Sequence, residues 1–581
     1  MQADERPAAG SPSPVAPAVV DQPAAADQPV PGAVGTGRPG GQRSVRGRLA
    51  WIGAYAAAGV VLFLCYLRVS GTQSPSSDGG SNALEAWDML HGNLLLHGWT
   101  LTDVSFYTTE LPEYMAVELI RGLSPAVVHT AAAFTYTLLV LLAGLVAKGR
   151  ATGREGVLRA VIGSGIMLAP QLGNPVFVLL GVPDHVGTGV PILLTFLVLD
   201  RAPRCLPGGP TPPHPPARTW YLPLITLMLA WATIGDRLVI VAATIPLVVV
   251  CAIRIYRAVV LLGKPLAALW FEVSLIAAGI VSLGIALLVG RVLGRLGGFT
   301  VLPLSTTVAK VSGLEGHFRL TGEGLLGLYG AGFSGLPLGA QTAIAAVHLA
   351  GLGLAAWALC RALRRFFRCD DLLVQVLAVG ILADLAAFAF SSLPRTIWDI
   401  RQISAVLPFG AVLAGRLLAG DLLRARLVPA LAVILACYTA ALGFDVAQPD
   451  IPAHDQALAD WLVAHHFSYG LSNYFEGNIT TLDSGGRVHL VAVSWGSDKS
   501  VPRAYQSEAS WYDPNLHYAD FVVNTGADQP KAIIPSGDLL RAFGRPARIY
   551  QYGPYTILVW HKNLLDDLGR PASQGAGNVE S

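Results

Sequence analysis

The stretch that decides the fold is residues 51–99. It opens with WIGAYAAAGVVLFLCYLRV (Trp51–Val69) and, after a short link, continues as SDGGSNALEAWDMLHGNLLLHGW (Ser77–Trp99). The first run carries a single charge, Arg68, at its far end. It is close to the ~20 apolar residues that cross bilayer hydrocarbon. The second run holds Asp78, Glu85, Asp88 and His91 and has no Lys or Arg. An acidic segment placed directly after a membrane span asks for an explanation.

Working outward, the rest of the chain repeats the first run. Of its 581 residues 53% are hydrophobic and 13% charged, where soluble proteins carry about 25% charged residues. Apolar runs recur near 49–69, 125–147, 160–180, 187–200, 219–235, 238–256, 266–290, 337–360, 371–391, 402–420 and 427–447. They predict a mostly α, polytopic membrane protein with about eleven transmembrane helices. The third run is interrupted by APQLGNP, which predicts a broken helix lining a cavity. The fourth is short for a span.

Arg and Lys orient the set. They cluster before the first run (Arg43, Arg46, Arg48) and after each even-numbered one, for example Lys148 and Arg150, Arg254 and Arg257, Arg361 and Arg364, Arg424 and Arg426. The positive-inside rule then puts the N-terminus in the cytoplasm and the segment after the last span outside. Three domains are expected: a Pro/Ala-rich disordered tail over 1–45, a membrane domain over 46–447, and an extracytoplasmic domain over 448–581. The last mixes a helical pattern in HDQALADWLVAHH with short β-rich runs (RVHLVAVSW, ADFVVNT, YTILVWHK), which reads as a small α/β domain. None of the six cysteines lies in it, and no Cys/His zinc spacing occurs. Nothing points to nucleic acid.

Within the acidic segment, Asn82 and Glu85 have the spacing of a capping box, and Gly92 suits a helix end. A short amphipathic surface helix is expected, with Glu85 and Asp88 on its wet face and Trp87 and Trp99 at headgroup depth. Asp78 precedes it, followed by Gly79 and Gly80, which would let a ligand approach the backbone.

An acidic residue just after the first span, a helix of the form A-x-x-M/L-L-x-G and a following Gly-Trp resemble the first outer loop of GT-C glycosyltransferases. The branch includes the protein O-mannosyltransferases and the lipid A aminoarabinose transferases. The many spans and terminal α/β domain fit the same plan, and the Ala, Gly, Pro and Arg richness fits an actinobacterial-type member. The resemblance implies a plasma-membrane hexosyltransferase. Its donor would be a polyprenyl-phosphate sugar lipid and its acceptor a cell-envelope glycan or protein. It implies that Asp78 is the catalytic carboxylate, as base or as a metal-associated group, with a divalent cation (Mg or Mn) left open. Many members have Asp-Glu where this chain has Asp78-Gly79, so a second carboxylate must come from elsewhere. Glu110 and Glu113 are candidates.

Such a transfer needs a carboxylate to take the acceptor proton and cations for the leaving phosphate, for which Arg is suited by its planar fork. The candidates for the phosphate are Arg401, Arg395 and Arg237. Asp184, His185 and Glu110 are candidates for a metal or for the acceptor. Two rival functions stand beside this one: a transporter or flippase of envelope lipids, and a non-catalytic membrane protein whose outer domain binds a ligand. The segment around Lys310, His317, Arg319 and Glu323 is open between a mobile substrate loop and a tether.

Overall fold

The computed structural model describes residues 40–202, 219–303, 306–453, 455–495, 500–502, 505–525 and 536–568. The expected disordered tail lies almost wholly outside these. Contacts divide the chain into a unit ending at Ala54 and a second, Tyr55–Ser581, which holds the site and the packing described below.

All eleven apolar runs contain helix. Helix α1 is Gly40–Ser70, so residues 40–45 are helical rather than part of a disordered tail. The acidic segment folds as α2 (Ser77–Leu90), followed by α3 (Leu111–Arg121). Next come α4 (Ala126–Lys148), α5 (Gly153–Gly165), α6 (Gly189–Arg201), α7 (Tyr221–Gly235), α8 (Ile240–Leu261) and α9 (Leu266–Arg295). Then follow α10 (Leu314–Leu328), α11 (Ala340–Arg364), α12 (Leu372–Ala389), α13 (Val406–Arg424) and α14 (Val428–Val446). Among the described residues eight helices are long and apolar enough to cross a membrane. The shortfall from eleven lies in the third, fourth and fifth runs, whose helices α5, α6 and α7 are too short.

The bundle is held by close approach, as expected where lipid removes the hydrophobic drive between helices. A Cβ on Gly163 would lie 2.7 Å from Ala147 Cβ, and one on Gly415 would lie 2.5 Å from Arg159 O. These glycines let α4, α5 and α13 press together. α4, α12 and α13 are mostly buried, while α1 turns Ile52, Val60 and Leu64 outward. In the middle of α13 the charge of Arg416 is neutralised by Asp200 (2.7 Å) and Asp371 (2.7 Å), and its Nη1 donates to Val146 O.

The break in the third run is real. α5 stops at Gly165, and the chain resumes only as a helical turn (Asn174–Val176) and a π-turn (Phe177–Gly181). Irregular backbone at membrane depth must find internal partners, and it does. Tyr136 donates to Met167 O (2.9 Å), Tyr66 donates to Leu168 O (2.9 Å), and His348 Nε2 contacts Ala169 O (2.8 Å). The Gln171 amide bonds both the carbonyl and the N–H of Gly332 (2.6 and 3.0 Å).

The C-terminal segment is α/β. Helices α15 (Gln456–Ala464), α16 (Tyr474–Asp483) and α17 (Ser536–Phe543) pack on a six-stranded sheet. With β1 (Trp99–Leu101) and β2 (Thr300–Val301) earlier in the chain, its strands are β3 (Tyr469–Ser472), β4 (His489–Trp495), β5 (Ser500–Pro502), β7 (Phe521–Thr525), β8 (Arg548–Tyr552) and β9 (Tyr555–Val559), in the order β5-β4-β3-β7-β9-β8. β3 runs parallel to both β4 and β7, while β5 and β9 pair antiparallel to their neighbours. Separate apolar clusters serve this part, one around Leu471, Val491 and Trp560, the other around Leu458, Phe521 and Ile557. A second sheet joins distant stretches: β1 pairs parallel with β2 and antiparallel with β6 (Ser507–Glu508). The segment around Lys310 to Glu323 is mainly helix α10, packed through Gly324 against Ile400. Helical packing favours the tether over the mobile loop.

Candidate functional site

The site is assembled where α2, the loop 182–188, the 3₁₀ turn Ile397–Ile403 and the start of α16 meet. Ser76 caps α2, its hydroxyl accepting from Gly79 N–H (3.2 Å), so the helix starts earlier than the expected Asn82 cap. Asp78 is thereby in the first helical turn, where the N-terminal partial charge favours a carboxylate. The capping box is absent because Asn82 is already inside the helix and donates instead to Asp184 Oδ1 (2.7 Å).

Other expectations for this segment are corrected by burial. Helix α2 is not a surface helix but is covered on most sides, with Glu85 2% exposed and Trp99 2% exposed. The two glycines face protein: a Cβ on Gly79 would meet Val128 Cγ1 at 2.7 Å, and one on Gly80 would meet Ile479 Cα at 3.1 Å. Gly80 thus serves the contact between α2 and α16. Asp88 accepts from Asn93 Nδ2 and Trp99 Nε1, both at 2.7 Å, and so braces the following loop.

Arg401 comes to Asp78 across 323 residues of chain, its Nη1 2.7 Å from Asp78 Oδ2. The same nitrogen is 3.8 Å from Asp184 Oδ2. The turn that presents it is fixed by a capping box of Thr396 and Asp399 and by buried Ile400 and Ile403. On the other side of Asp78, Oδ1 accepts from the hydroxyl of Tyr474, the first residue of α16, which also contacts the Gln506 side chain. Ser77 donates to Phe475 O (2.7 Å), and Asn478 Nδ2 donates to Ser81 Oγ and Gln506 O, both at 2.8 Å.

Asp184 and His185, adjacent in sequence, enter two different networks. Asp184 faces Asn82 and Arg401. His185, at φ +60°, turns to Asp236, with Nδ1 2.9 Å from Oδ2. Asp236 also accepts from Thr188 Oγ1 and Leu238 N–H, both at 2.8 Å. Its partner is His185 rather than the neighbouring Arg237. Arg237 is exposed. Arg395 is exposed too, its backbone N–H bonded to Asp399 (2.9 Å). Neither makes the contacts that join Asp78, Asp184 and Arg401.

Burial sets the electrostatics. It pushes the Asp184 carboxyl up to about 6, helped by the charge of Asp78 and opposed by Arg401, His185 and Asn82. Burial holds Glu85 well above the carboxylate range, with Asp184 adding to it. Burial likewise raises Glu110, and pushes Glu113 up to about 8 against a hydrogen bond from Thr135. Burial alone would raise Asp236, but His185 and its other donors leave it lowered; burial would lower His185, but Asp236 leaves it raised. Burial opposes the Arg401 charge, and Asp78 and Asp184 outweigh it. The charged centre is therefore Asp78, Asp184 and Arg401. Glu110 lies under the 182–188 loop, where a Cβ on Gly187 would be 2.5 Å from its Oε1. The carboxylate that shares Arg401 with Asp78 is Asp184.

A divalent cation does not fit this arrangement. Among the described residues no group of three or more His, Cys, Asp or Glu is placed to hold a metal. The position between Asp78 and Asp184 is taken by the guanidinium of Arg401.

Tyr474, Gln506 and the role of Asn82 were missed in the sequence. Tyr474 is 396 residues from Asp78 and belongs to no motif.

No protein-family model matches the chain, and no curated protein matches its sequence. Solved structures do. ArnT from Cupriavidus metallidurans, bound to undecaprenyl phosphate, aligns with 90% of this chain and 99% of its own at TM-score 0.51 and 12% identity. The Archaeoglobus fulgidus oligosaccharyltransferase in complex with zinc and sulfate covers 81% of this chain and 68% of its own at TM-score 0.44 and 13% identity. The likeness to ArnT runs over nearly the whole of both chains and shows that the two share a fold.

Proposed function

We propose that the protein is a plasma-membrane glycosyltransferase that moves a sugar from a polyprenyl-phosphate donor to a hydroxyl of a cell-envelope glycan or protein on the outer face. The observation that carries this reading is the pair formed by Asp78 and Arg401 beside Asp184, in a chain that shares its fold with ArnT. The ArnT structure of the same fold was obtained with undecaprenyl phosphate, which supports a lipid phosphate as the group that Arg401 meets. The basic exits of the spans support an orientation with the N-terminus in the cytoplasm and residues 448–581 outside.

The chemistry follows from the two partners of Asp78. In the resting site Arg401 occupies Oδ2 and Tyr474 occupies Oδ1. A donor phosphate offers Arg401 a second anion, and a guanidinium forms a paired contact with it. As Arg401 turns to the phosphate, Oδ2 is freed. The acceptor hydroxyl then attacks the anomeric carbon and gives its proton to Oδ2, while the bond from that carbon to the phosphate oxygen breaks. The polyprenyl phosphate leaves with the electron pair, its charge balanced by Arg401. Asp184, held by Asn82, keeps a negative charge beside Arg401 and fixes its direction.

The test is transfer of labelled sugar from polyprenyl phosphate to envelope material in membranes that carry the protein. Labelled product and released lipid phosphate are expected. Movement of intact lipid between leaflets with no transfer would favour a transporter. Neither activity, with ligand binding to the C-terminal part, would favour a binding protein.

A further inference from the structure

We propose that Tyr474, on the C-terminal α/β part, is a positioning residue that holds Asp78 Oδ1 so that Oδ2 alone is offered as base; this rests on the glycosyltransferase reading above. Tyr474 is 6% exposed and Gln506 1% exposed. The Tyr474 hydroxyl touches both Asp78 Oδ1 and the Gln506 side-chain amide. A phenol has one proton to give, and a carboxylate is the stronger acceptor. The proton therefore goes to Asp78. Contact with Gln506 is favourable only when its amide turns its NH₂ toward the phenol oxygen, which makes a directed chain from Gln506 through Tyr474 to Asp78.

The surroundings are built to hold this chain still. Gln506 is at φ +45°, a conformation that L residues rarely adopt, and its carbonyl is tied to Asn478 of α16. The backbone of α16 lies against Gly80 of α2, and its Phe475 carbonyl is tied to Ser77. Tyr505 packs beside Tyr474 with ring centroids 5.0 Å apart and the rings tilted by 57°. The C-terminal part is thus a piece of the reaction centre, since it supplies a group that grips the base. Arg401 on the 3₁₀ turn and Asp184 on the loop also face this centre.

A hydrogen bond donated to a carboxylate favours its charged form. Tyr474→Phe keeps the ring and removes the donor. The ionisation of Asp78 should then move up by about one pH unit, with Gln506→Leu moving it in the same direction by less. Infrared difference spectra of the parent against Asp78→Asn, and of Tyr474→Phe against its own Asp78→Asn double variant, isolate the Asp78 carboxyl without recourse to activity. In the transfer assay the acid limb of the pH–rate profile should move by the same amount. kcat should fall about tenfold, with KM for the donor unchanged. An Asp78 titration that is the same in Tyr474→Phe and the parent overturns the proposal, even if the variant is less stable. A shifted titration in a parent that transfers no sugar supports the hydrogen-bond role and rejects the glycosyltransferase reading instead.

Discussion

Replacing Arg401 by Gln removes a side-chain charge that joins Asp78 to Asp184 in the site. Arg401 Nη1 is 2.7 Å from one carboxylate and 3.8 Å from the other, with 29% of its side chain exposed. At an effective dielectric constant near 20, a unit pair about 4 Å apart is worth about 4 kcal/mol. Loss of one partner of a buried pair costs about 3–5 kcal/mol when the other stays charged. Asp184 escapes part of that cost by taking up a proton, because burial already holds it at about 6. A destabilisation of about 2 kcal/mol is therefore expected at pH 7, smaller at pH 5. The second variant, Arg401→Gln with Asp184→Asn, should recover most of the lost stability, since no carboxylate is left in need of the guanidinium except the less buried Asp78. Affinity for undecaprenyl phosphate should fall about tenfold to a hundredfold in both, as expected for a lost charged hydrogen bond. Thermal unfolding and lipid-phosphate binding in detergent read the two effects separately. Undiminished binding in Arg401→Gln, or binding recovered together with stability in the double variant, would refute the assignment of Arg401 to the phosphate.

Gly80→Val should unfold at lower temperature and lose transfer, because its Cβ would lie 3.1 Å from the Ile479 backbone and push α16, with Tyr474, away from Asp78; the expected cost is about 1–3 kcal/mol. Gly284→Ala, in open space on α9, should be neutral or mildly stabilising in the same melt. Glu113 is protonated in the folded protein until about pH 8, above its ordinary value of 4.5, so stability present at low pH is lost as pH rises through that window. Glu113→Gln should match the parent in thermal melts at pH 4 and exceed it at pH 8, and an unchanged difference between the two would contradict the burial argument. For topology, alkaline phosphatase fused to the C-terminus should be active and a green-fluorescent fusion dark; the reverse pattern would put the site on the wrong face.

Much of the fold was legible because periodicity and length are local. The helical runs, the break at APQLGNP and the β-rich segments all follow from composition within a few turns of chain. The span count was less legible. The runs that hold α5, α6 and α7 read as spans, yet each of these helices is too short, and α5 carries Arg154, Glu155 and Arg159. Asp78 and Arg401 were legible as types of chemistry, one beside a span and the other at the start of one. Their pairing was not, because nothing within 323 residues of intervening chain encodes it. The errors in α2 share a cause. Ser76 competes with Asn82 as cap and wins, and tertiary packing then buries Glu85, near Asp184, and Trp99, against Trp511. Gly79 and Gly80 show the same limit: a glycine pair beside an acid suits a ligand or a packed helix equally, and only the placement of Val128 and Ile479 decides.

The central claim is that Asp78 accepts the acceptor proton, and Asp78→Asn measures it most directly. The substitution keeps size and hydrogen bonding and removes the base. Glu85→Gln, at a buried acid whose ionisation burial raises, and Asp88→Asn, at a brace for the following loop, are the comparisons. With labelled polyprenyl-phosphate sugar and membranes matched for protein level, Asp78→Asn should transfer about a hundredfold to ten-thousandfold more slowly, while donor lipid still binds and the other two keep most of the parent rate. Transfer by Asp78→Asn at the parent rate would contradict the account.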